Sequence, residues 1–457
     1  MACTALAGAG LCADQALASH GQALYFEGSS DLLNPKIREH SISQLQSLGV
    51  RALRVELSWG AVAPSPRSAK KPSFDATNPS SYAWGQYDWL LAKAKELHWQ
   101  VLLTVTAPVP NWATSNHRAP YVTRPNDTDF KEFMTAVARH YSSEVSLYAI
   151  WNEPNHPDFL APQFVHRSPA SPRIYRGLFQ AGYSGLQAGG IASPKVLMGE
   201  TAPTGTSRVV SPLEFLRSAL CLNSHYKRSS SCGSLPAYGY AHHAYTKAAG
   251  PYYVPPNRND VTIGVLSRLT NALNLAARAH AIKAGIPIYL TEFGIQSYPN
   301  KELGVPVAQQ AEYQAISEKI AYENSRVAAF SQYLLSDDPL GGKPGSQFIG
   351  FQTGLEYSSH APKPLYFAFP VTLVVSKQHS RFSLWGLVRP APGSTKVTVL
   401  IKKKGAKSYS TLKTVTTNSA GYWTLKSSTQ GTSWRVRWVS PKGVKYEGPP
   451  IRAYAAH

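Results

Sequence analysis

A chain of 457 residues, 43% of them hydrophobic and 16% charged, has ample material for a soluble core and exceeds one small domain. No stretch reaches the roughly 18 consecutive apolar residues of a membrane span, which argues against a helical membrane protein. The net charge of +20 is uneven: from Val371 onward fifteen Lys and Arg face one acid, Glu447, so this end carries +14 and the first 370 residues only +6.

The first 22 residues are rich in small side chains but have no basic leader and contain Cys12 and Asp14, so they do not read as an intact signal peptide. The expectation is a chain that begins near a mature end. Its four cysteines form two close pairs, Cys3 with Cys12 and Cys221 with Cys232, neither with the C-x-x-C spacing of a zinc or redox site. Local pairing within each is expected, and disulfides place the protein outside the cytoplasm, as a secreted protein.

Eight short apolar runs follow: "ALYFEG", "ALRVELS", "QVLLTVT", "SLYAIWNE", "KVLMGET", "AYGYAHHAY", "PIYLTEFG" and "AAFSQYLL". Amphipathic helical stretches lie between them, at 35–48, 82–98, 127–141, 171–188, 211–222, 261–279 and 308–324, with a short last one within 364–369. Eight strands alternating with helices predict a closed (β/α)₈ barrel over residues 23–370. Helix-to-strand links such as "SLGV", "ELHW" and "KAGI" are short, whereas the strand-to-helix segments 61–81, 107–126 and 154–170 are long. In a barrel these long loops build the active face, so catalytic groups should stand at the C-terminal ends of strands. After residue 370 the pattern changes to alternating strands with Gly and Ser turns, "RFSLWGLV", "KVTVLIKKK", "STLKTVTT", "GYWTLKS" and "SWRVRWVS". They predict an all-β sandwich of immunoglobulin-like size over 371–457.

Two strands end in glutamate. The fourth runs into "WNEPN", where Pro154 lacks an amide hydrogen and ends the ladder; the seventh ends in "LTEFG" at Glu292, with Gly294 at the turn beyond. Glutamates on the fourth and seventh of eight strands can face each other across the barrel mouth. Such a pair is the apparatus for breaking a glycosidic bond: one acid protonates the leaving oxygen while one carboxylate attacks or stabilises the anomeric carbon. Glu27, Glu56, Glu200, Asp337 and Asp338 also lie near strand ends, where loop capping is the favoured reading over sugar binding.

The two motifs resemble the signatures of the clan A retaining glycoside hydrolases, chiefly families 5 and 39, over residues 23–370. The resemblance implies that Glu153 is the general acid/base and Glu292 the nucleophile, with Asn152 on the sugar 2-hydroxyl. It implies that Arg54, in "LRVELSW", holds the nucleophile ionised, and that His243 and Tyr245, in "AHHAY", stand beside it. The last strand departs from the family's terminal tryptophan with "FSQYLLSDDP", so Gln332 or Tyr333 is expected to take its place. Trp59 and Trp112, on long loops, are expected as sugar platforms. His242 and His243 point to opposite faces, so only one reaches the site.

The sequence has no H-E-x-x-H, no metal-spaced Cys and His cluster, no G-x-S-x-G and no phosphate loop. The expected protein is therefore a secreted, monomeric β-type glycosidase acting by double displacement on a carbohydrate, with no cofactor or metal. Transglycosylation on the same site and an inactive carbohydrate-binding barrel are the alternatives. The basic tail, with Trp385, Trp423, Trp434 and Trp438, admits an acidic polysaccharide or cell-envelope surface as partner. A tryptophan core under a solvated lysine surface is favoured over that reading, and no fold signal supports nucleic acid.

Overall fold

The computed structural model describes residues 21–229, 231–300, 303–341, 350–391 and 393–455. Cys3 and Cys12 lie outside the described residues.

Eight parallel strands close into a barrel in the order β1-β8-β7-β6-β5-β4-β3-β2. They are β1 (Ala23–Glu27), β2 (Ala52–Ser58), β3 (Gln100–Thr106), β4 (Leu147–Ile150), β5 (Val196–Thr201), β6 (Gly239–His243), β7 (Ile288–Glu292) and β8 (Val327–Tyr333). The helices that cover them are α1 (Arg38–Ser47), α2 (Gly85–Glu96), α3 (Asp127–Tyr141), α4 (Ser171–Ala188), α5 (Pro212–Ala219), α6 (Leu266–Arg278), α7 (Val307–Glu323) and α8 (Pro364–Ala368). Near-continuous apolar sequence forms these strands because a parallel barrel is buried on both faces. One face packs under the helices; the other fills the interior with Tyr25, Ala52, Leu102, Leu147, Ala149, Leu197, Ala241, Tyr289 and Ala329. This plug closes the barrel below and leaves the polar strand ends above it.

Helix α3 carries its own start signal. Asn126 caps α3 by accepting from the Asp129 amide, and Arg139 sits in its last turn, where a cation complements the helix dipole. Helix α4 lies so close to α3 and β4 that a side chain on Gly182 would strike Ile150, and one on Gly185 would meet the Lys131 carbonyl. No helix among the described residues is long and apolar enough to cross a membrane.

Beyond α8 the chain enters two four-stranded sheets. One has the order β13-β10-β9-β16, from β9 (Val371–Gln378), β10 (Arg381–Val388), β13 (Tyr422–Ser427) and β16 (Tyr454–Ala455). The other has the order β12-β11-β14-β15, from β11 (Lys396–Lys402), β12 (Ser410–Thr416), β14 (Ser433–Val439) and β15 (Lys445–Glu447). Strands β9, β15 and β16 were absent from the sequence reading. "VTLVVSKQ" follows α8 with no turn signal, and its register against β10, Val371 with Val388 to Gln378 with Arg381, supplies what the local pattern lacked. Trp423, Trp434 and Trp438 fill the core between the sheets, and Trp385 faces α7 beside Ile316, Tyr322 and Tyr422. A buried ion pair, Arg389 with Glu318, and the Tyr446 hydroxyl on the Ser47 carbonyl (3.0 Å) tie the sheets to the barrel.

Candidate active site

Arg54 organises the mouth. Its side chain, from the third residue of β2, is fully buried, and its two terminal nitrogens reach five acceptors. Nη1 donates to Glu27 and to Glu292 Oε1 (2.8 Å); Nη2 donates to Glu200 Oε2 (2.6 Å), Asn152 Oδ1 (2.8 Å) and, more weakly, Glu56 Oε1 (3.2 Å). A guanidinium is suited to this task because its fork of donors is planar and permanently charged. Burial alone would weaken the charge, but Glu200, Glu27 and Glu292 outweigh that and raise its proton affinity.

Glu292 is the last residue of β7. Besides Arg54 it receives the Tyr245 hydroxyl on Oε2 (3.1 Å), and the same oxygen lies 3.4 Å from His243 Nδ1. Glu153 stands opposite: one of its carboxylate oxygens and one of Glu292 lie within 4.8 Å of each other. The chain reaches this position through left-handed backbone at Trp151 (φ 72°) and Glu153 (φ 35°), so β4 stops at Ile150 rather than running through the motif. For side chains of this size that conformation costs of order 1 to 3 kcal/mol, and it is over-determined by neighbours. The Trp151 indole donates to the Phe159 carbonyl (2.8 Å), the Asn152 amide to Thr106 (3.0 Å), and Asn155 clasps Ala202 and Val210 in the loop after β5.

His243 bridges the two sides. Its Nδ1 is 2.9 Å from Glu153 Oε1 and its Nε2 3.0 Å from Glu200 Oε2. Burial works against its charge, but Glu292, Glu153 and Glu200 raise it to about 10. Burial would raise Glu153 in turn; the bond and charge of His243 overcome this and hold it below the usual carboxylate range. Glu200 is likewise held low, with Arg54 and His243 outweighing its burial. Two carboxyls go the other way: burial pushes Glu27 well up despite Arg54, and burial with Glu292 and Glu200 nearby puts Glu56 at about 7. Glu56 keeps 26% of its side chain exposed and so faces the opening. His242 points away; buried and bonded to Thr201 and the Val261 carbonyl, it falls to about 4 and is neutral.

Three expectations are corrected. Trp59 is wholly buried, stacked on Phe133 at 5.3 Å and edge-on to Trp112, because the chain after β2 coils into a helical turn that swings the ring inward. Trp112, 7% exposed, donates its indole to the Pro64 carbonyl, so neither ring is a sugar platform. Gln332 projects outward from β8 and is consumed by Gln314 and the Thr353 carbonyl, while its neighbour Tyr333 points inward. Tyr333, Phe351 and Tyr245 form an aromatic wall beside Glu292, with centroids 5.0 Å and 6.0 Å apart. Asp337 and Asp338 hold loops: Asp337 pairs with buried Lys363 (2.6 Å), and Asp338 accepts the Phe351 amide (2.8 Å).

Glu27, Glu56 and Glu200 belong to the site although loop capping was the favoured reading. The signal available for Glu56 was its spacing: two residues beyond Arg54 on one strand, it shares Arg54's face. Among the described residues two sets of donor atoms are compact enough for a cation, Glu153–His243–Glu292 and Glu27–Glu56–Glu292. Their oxygens already meet the chain's own cationic donors, Arg54 on Glu27, Glu56 and Glu292 and His243 on Glu153. Cys221 and Cys232 are joined in a disulfide that clasps the loop after α5.

No protein-family model matches the chain, and no curated protein sequence does. The fold is similar to that of a glucosidase from Croceicoccus marinus, 9% identical over 86% of this chain and 90% of the other, with a TM-score of 0.50. It is also similar to a monomeric β-xylosidase from Caulobacter crescentus, 16% identical over 96% of each chain, again with a TM-score of 0.50. At such identities the likeness establishes the barrel architecture.

Proposed function

We propose that the protein is a retaining β-type glycoside hydrolase of clan A, closest in its motifs to families 5 and 39. Glu292 attacks the anomeric carbon and forms a glycosyl ester as the glycosidic C–O bond breaks. Glu153 gives its proton to the departing oxygen, then takes one from the water that cleaves the ester. The observation that carries this reading is the carboxylate pair, with oxygens within 4.8 Å. So close an approach of two oxygens supports the narrower separation of retaining pairs, roughly 5 to 5.5 Å, over the about 6.5 to 9.5 Å of inverting ones. The donors of Arg54 and Tyr245, one on each oxygen, favour Glu292 as the nucleophile. The Asn152 amide nitrogen is left to meet the sugar 2-hydroxyl, because its oxygen is taken by Arg54. The half-buried Tyr245, Tyr333 and Phe351 suit the apolar face of a sugar ring.

Residues 23–370 are taken as the catalytic unit and 371–457 as an appended β module. The disulfide supports work outside the cytoplasm, and action as a monomer is part of the same proposal. A panel of aryl β-glycosides tests the activity. Glu292→Ala should lose turnover by at least ~10³-fold, and azide should restore it with formation of the α-glycosyl azide. Glu153→Ala should lose ~10²- to 10⁴-fold on poor leaving groups and far less on dinitrophenyl glycosides, which depart without a proton. Binding of oligosaccharides with no cleavage across the panel would favour an inactive carbohydrate-binding barrel, and sugar-to-sugar transfer products a transglycosylase.

A further inference from the structure

Both ring nitrogens of His243 face carboxylates, Nδ1 towards Glu153 and Nε2 towards Glu200. A neutral imidazole donates from one nitrogen only, and a proton on Glu200 Oε2 is disfavoured by the Arg54 guanidinium that donates to that same oxygen, so two arrangements satisfy these contacts. In one, His243 is an imidazolium between two carboxylates; in the other, Glu153 carries the proton and donates to Nδ1. Both contain the same atoms and the same number of protons. In both, Nε2–H points at Glu200.

Resting on the glycosidase reading, we propose that Glu200 is a positioning residue for proton transfer. By holding Nε2–H of His243 it commits Nδ1 to exchange one proton with Glu153, so that carboxylate and imidazole act as one proton-carrying pair. Glu200 is fitted for this by its surroundings. It is completely buried and cannot reach the sugar, and its Oε2 is fixed from the other side by Arg54 Nη2 at 2.6 Å. It is held in left-handed backbone at the end of β5 (φ 51°), a position β-strand geometry does not supply by itself. The charged and titratable groups around His243 are Glu153 after β4, Glu200 on β5, Glu292 on β7, Glu56 and Arg54 on β2, and neutral His242 and the Tyr245 hydroxyl from its own segment.

The steps balance. Nδ1–H passes its proton to Glu153, leaving neutral His243 with Nε2–H on Glu200. Glu153 protonates the glycosidic oxygen as the C–O bond breaks and Glu292 forms its ester. That ester removes one negative charge facing Nδ1, which lowers the proton affinity of His243 when Glu153 must next act as base. Water then gives a proton to Glu153 as its oxygen attacks the anomeric carbon, Glu292 leaves as carboxylate, and the proton returns to Nδ1. A low pKa for Glu153 thus coexists with acid catalysis because the proton is stored one bond away.

The test has two readouts on the full chain. The first is the ¹⁵N shifts of the His243 ring, assigned with His243→Asn. In the wild type at pH 7 the pair should hold one shared proton besides Nε2–H. In Glu200→Gln that proton should be lost at a pH lower by about 1 to 3 units, because a carboxylate has been removed. A His243 that is neutral and unpaired at pH 7, or unmoved by Glu200→Gln, overturns the proposal whatever the enzyme hydrolyses. The second readout is the pH profile of kcat/KM on phenyl and 2,4-dinitrophenyl β-D-xylosides and β-D-glucosides. Glu200→Gln should shift the alkaline limb downward for the phenyl substrates and leave it in place for the dinitrophenyl ones, and Glu200→Asp should restore part of the shift. Equal loss on both at every pH would reduce Glu200 to a structural residue and overturn the proposal. If the wild type cleaves no member of the wider aryl β-glycoside panel, the glycosidase reading fails and the ring shifts still decide the pairing.

Discussion

At the scale of the residue, one guanidinium carries the site. Arg54 is the shared partner of Glu27, Glu56, Glu200 and Glu292, and a buried carboxylate without its partner is far costlier than the pair is valuable. Arg54→Met should therefore destabilise the fold by about 3 to 5 kcal/mol in chemical denaturation at neutral pH, besides abolishing activity. The sign of its pH dependence follows from Glu200, whose folded pKa is depressed. Its stabilising contribution is present above the unfolded carboxylate value and is lost as pH falls through the depressed one, so wild type and variant should converge in acid. An undiminished gap at low pH would mean that the loss is packing and not charge. Glu153 and Glu292 were legible in sequence because each ends an apolar run at a counted strand. Glu27 and Glu200 were not: a lone glutamate after a strand resembles a loop cap, and only closure of the barrel brings β1, β2 and β5 around one arginine.

At the scale of the element, the β/α alternation fixed eight strands and eight helices closely, since buried parallel strands and amphipathic helices have different hydrophobic periods. Side-chain direction was harder to read. Trp59 and Trp112 look exposed on long loops, yet each sits in a short helical turn, which lays Trp59 on Phe133 of α3 and Trp112 against Trp59 and Phe74. Gln332 and Tyr333 are adjacent, and one place of register decides which faces the mouth. The assignments separate by experiment. Trp59→Ala should cost about 3 to 5 kcal/mol of stability and leave KM for small glycosides unchanged, as a core truncation does. Tyr333→Ala should raise KM with a much smaller loss of stability. Reversal of the two outcomes would restore Trp59 as a sugar platform.

At the scale of the whole molecule, the sequence marked the compositional break near residue 370 but not how the two parts meet. The contact depends on partners far apart in the chain: Ala315 and Ile316 of α7 against Val374, Trp385, Leu387 and Tyr422, sealed by Arg389 with Glu318. Both members of that ion pair are 5% exposed, so Glu318→Ala should strand a buried guanidinium. The expected cost is about 3 to 5 kcal/mol, read as earlier proteolytic cleavage near residue 370, and unchanged protease resistance would count against a tight junction. The tryptophans of the β module are core, so none of the four offers its ring to a glycan. Its exposed cations remain, and any retention they give on a polyuronate matrix should fall steeply as salt rises.

The central assignment is a covalent one, and a trapped intermediate tests it most directly. The protein is incubated with 2,4-dinitrophenyl 2-deoxy-2-fluoro-β-D-glucoside or the corresponding xyloside, whichever parent sugar it cleaves, and the peptides are mapped by mass. One fluorosugar should be found in ester linkage on Glu292, and none on the Glu292→Ala variant. A label on Glu27, Glu56 or Glu153, or turnover of the parent glycoside to an inverted sugar with no label at all, would contradict the double displacement assigned to this pair.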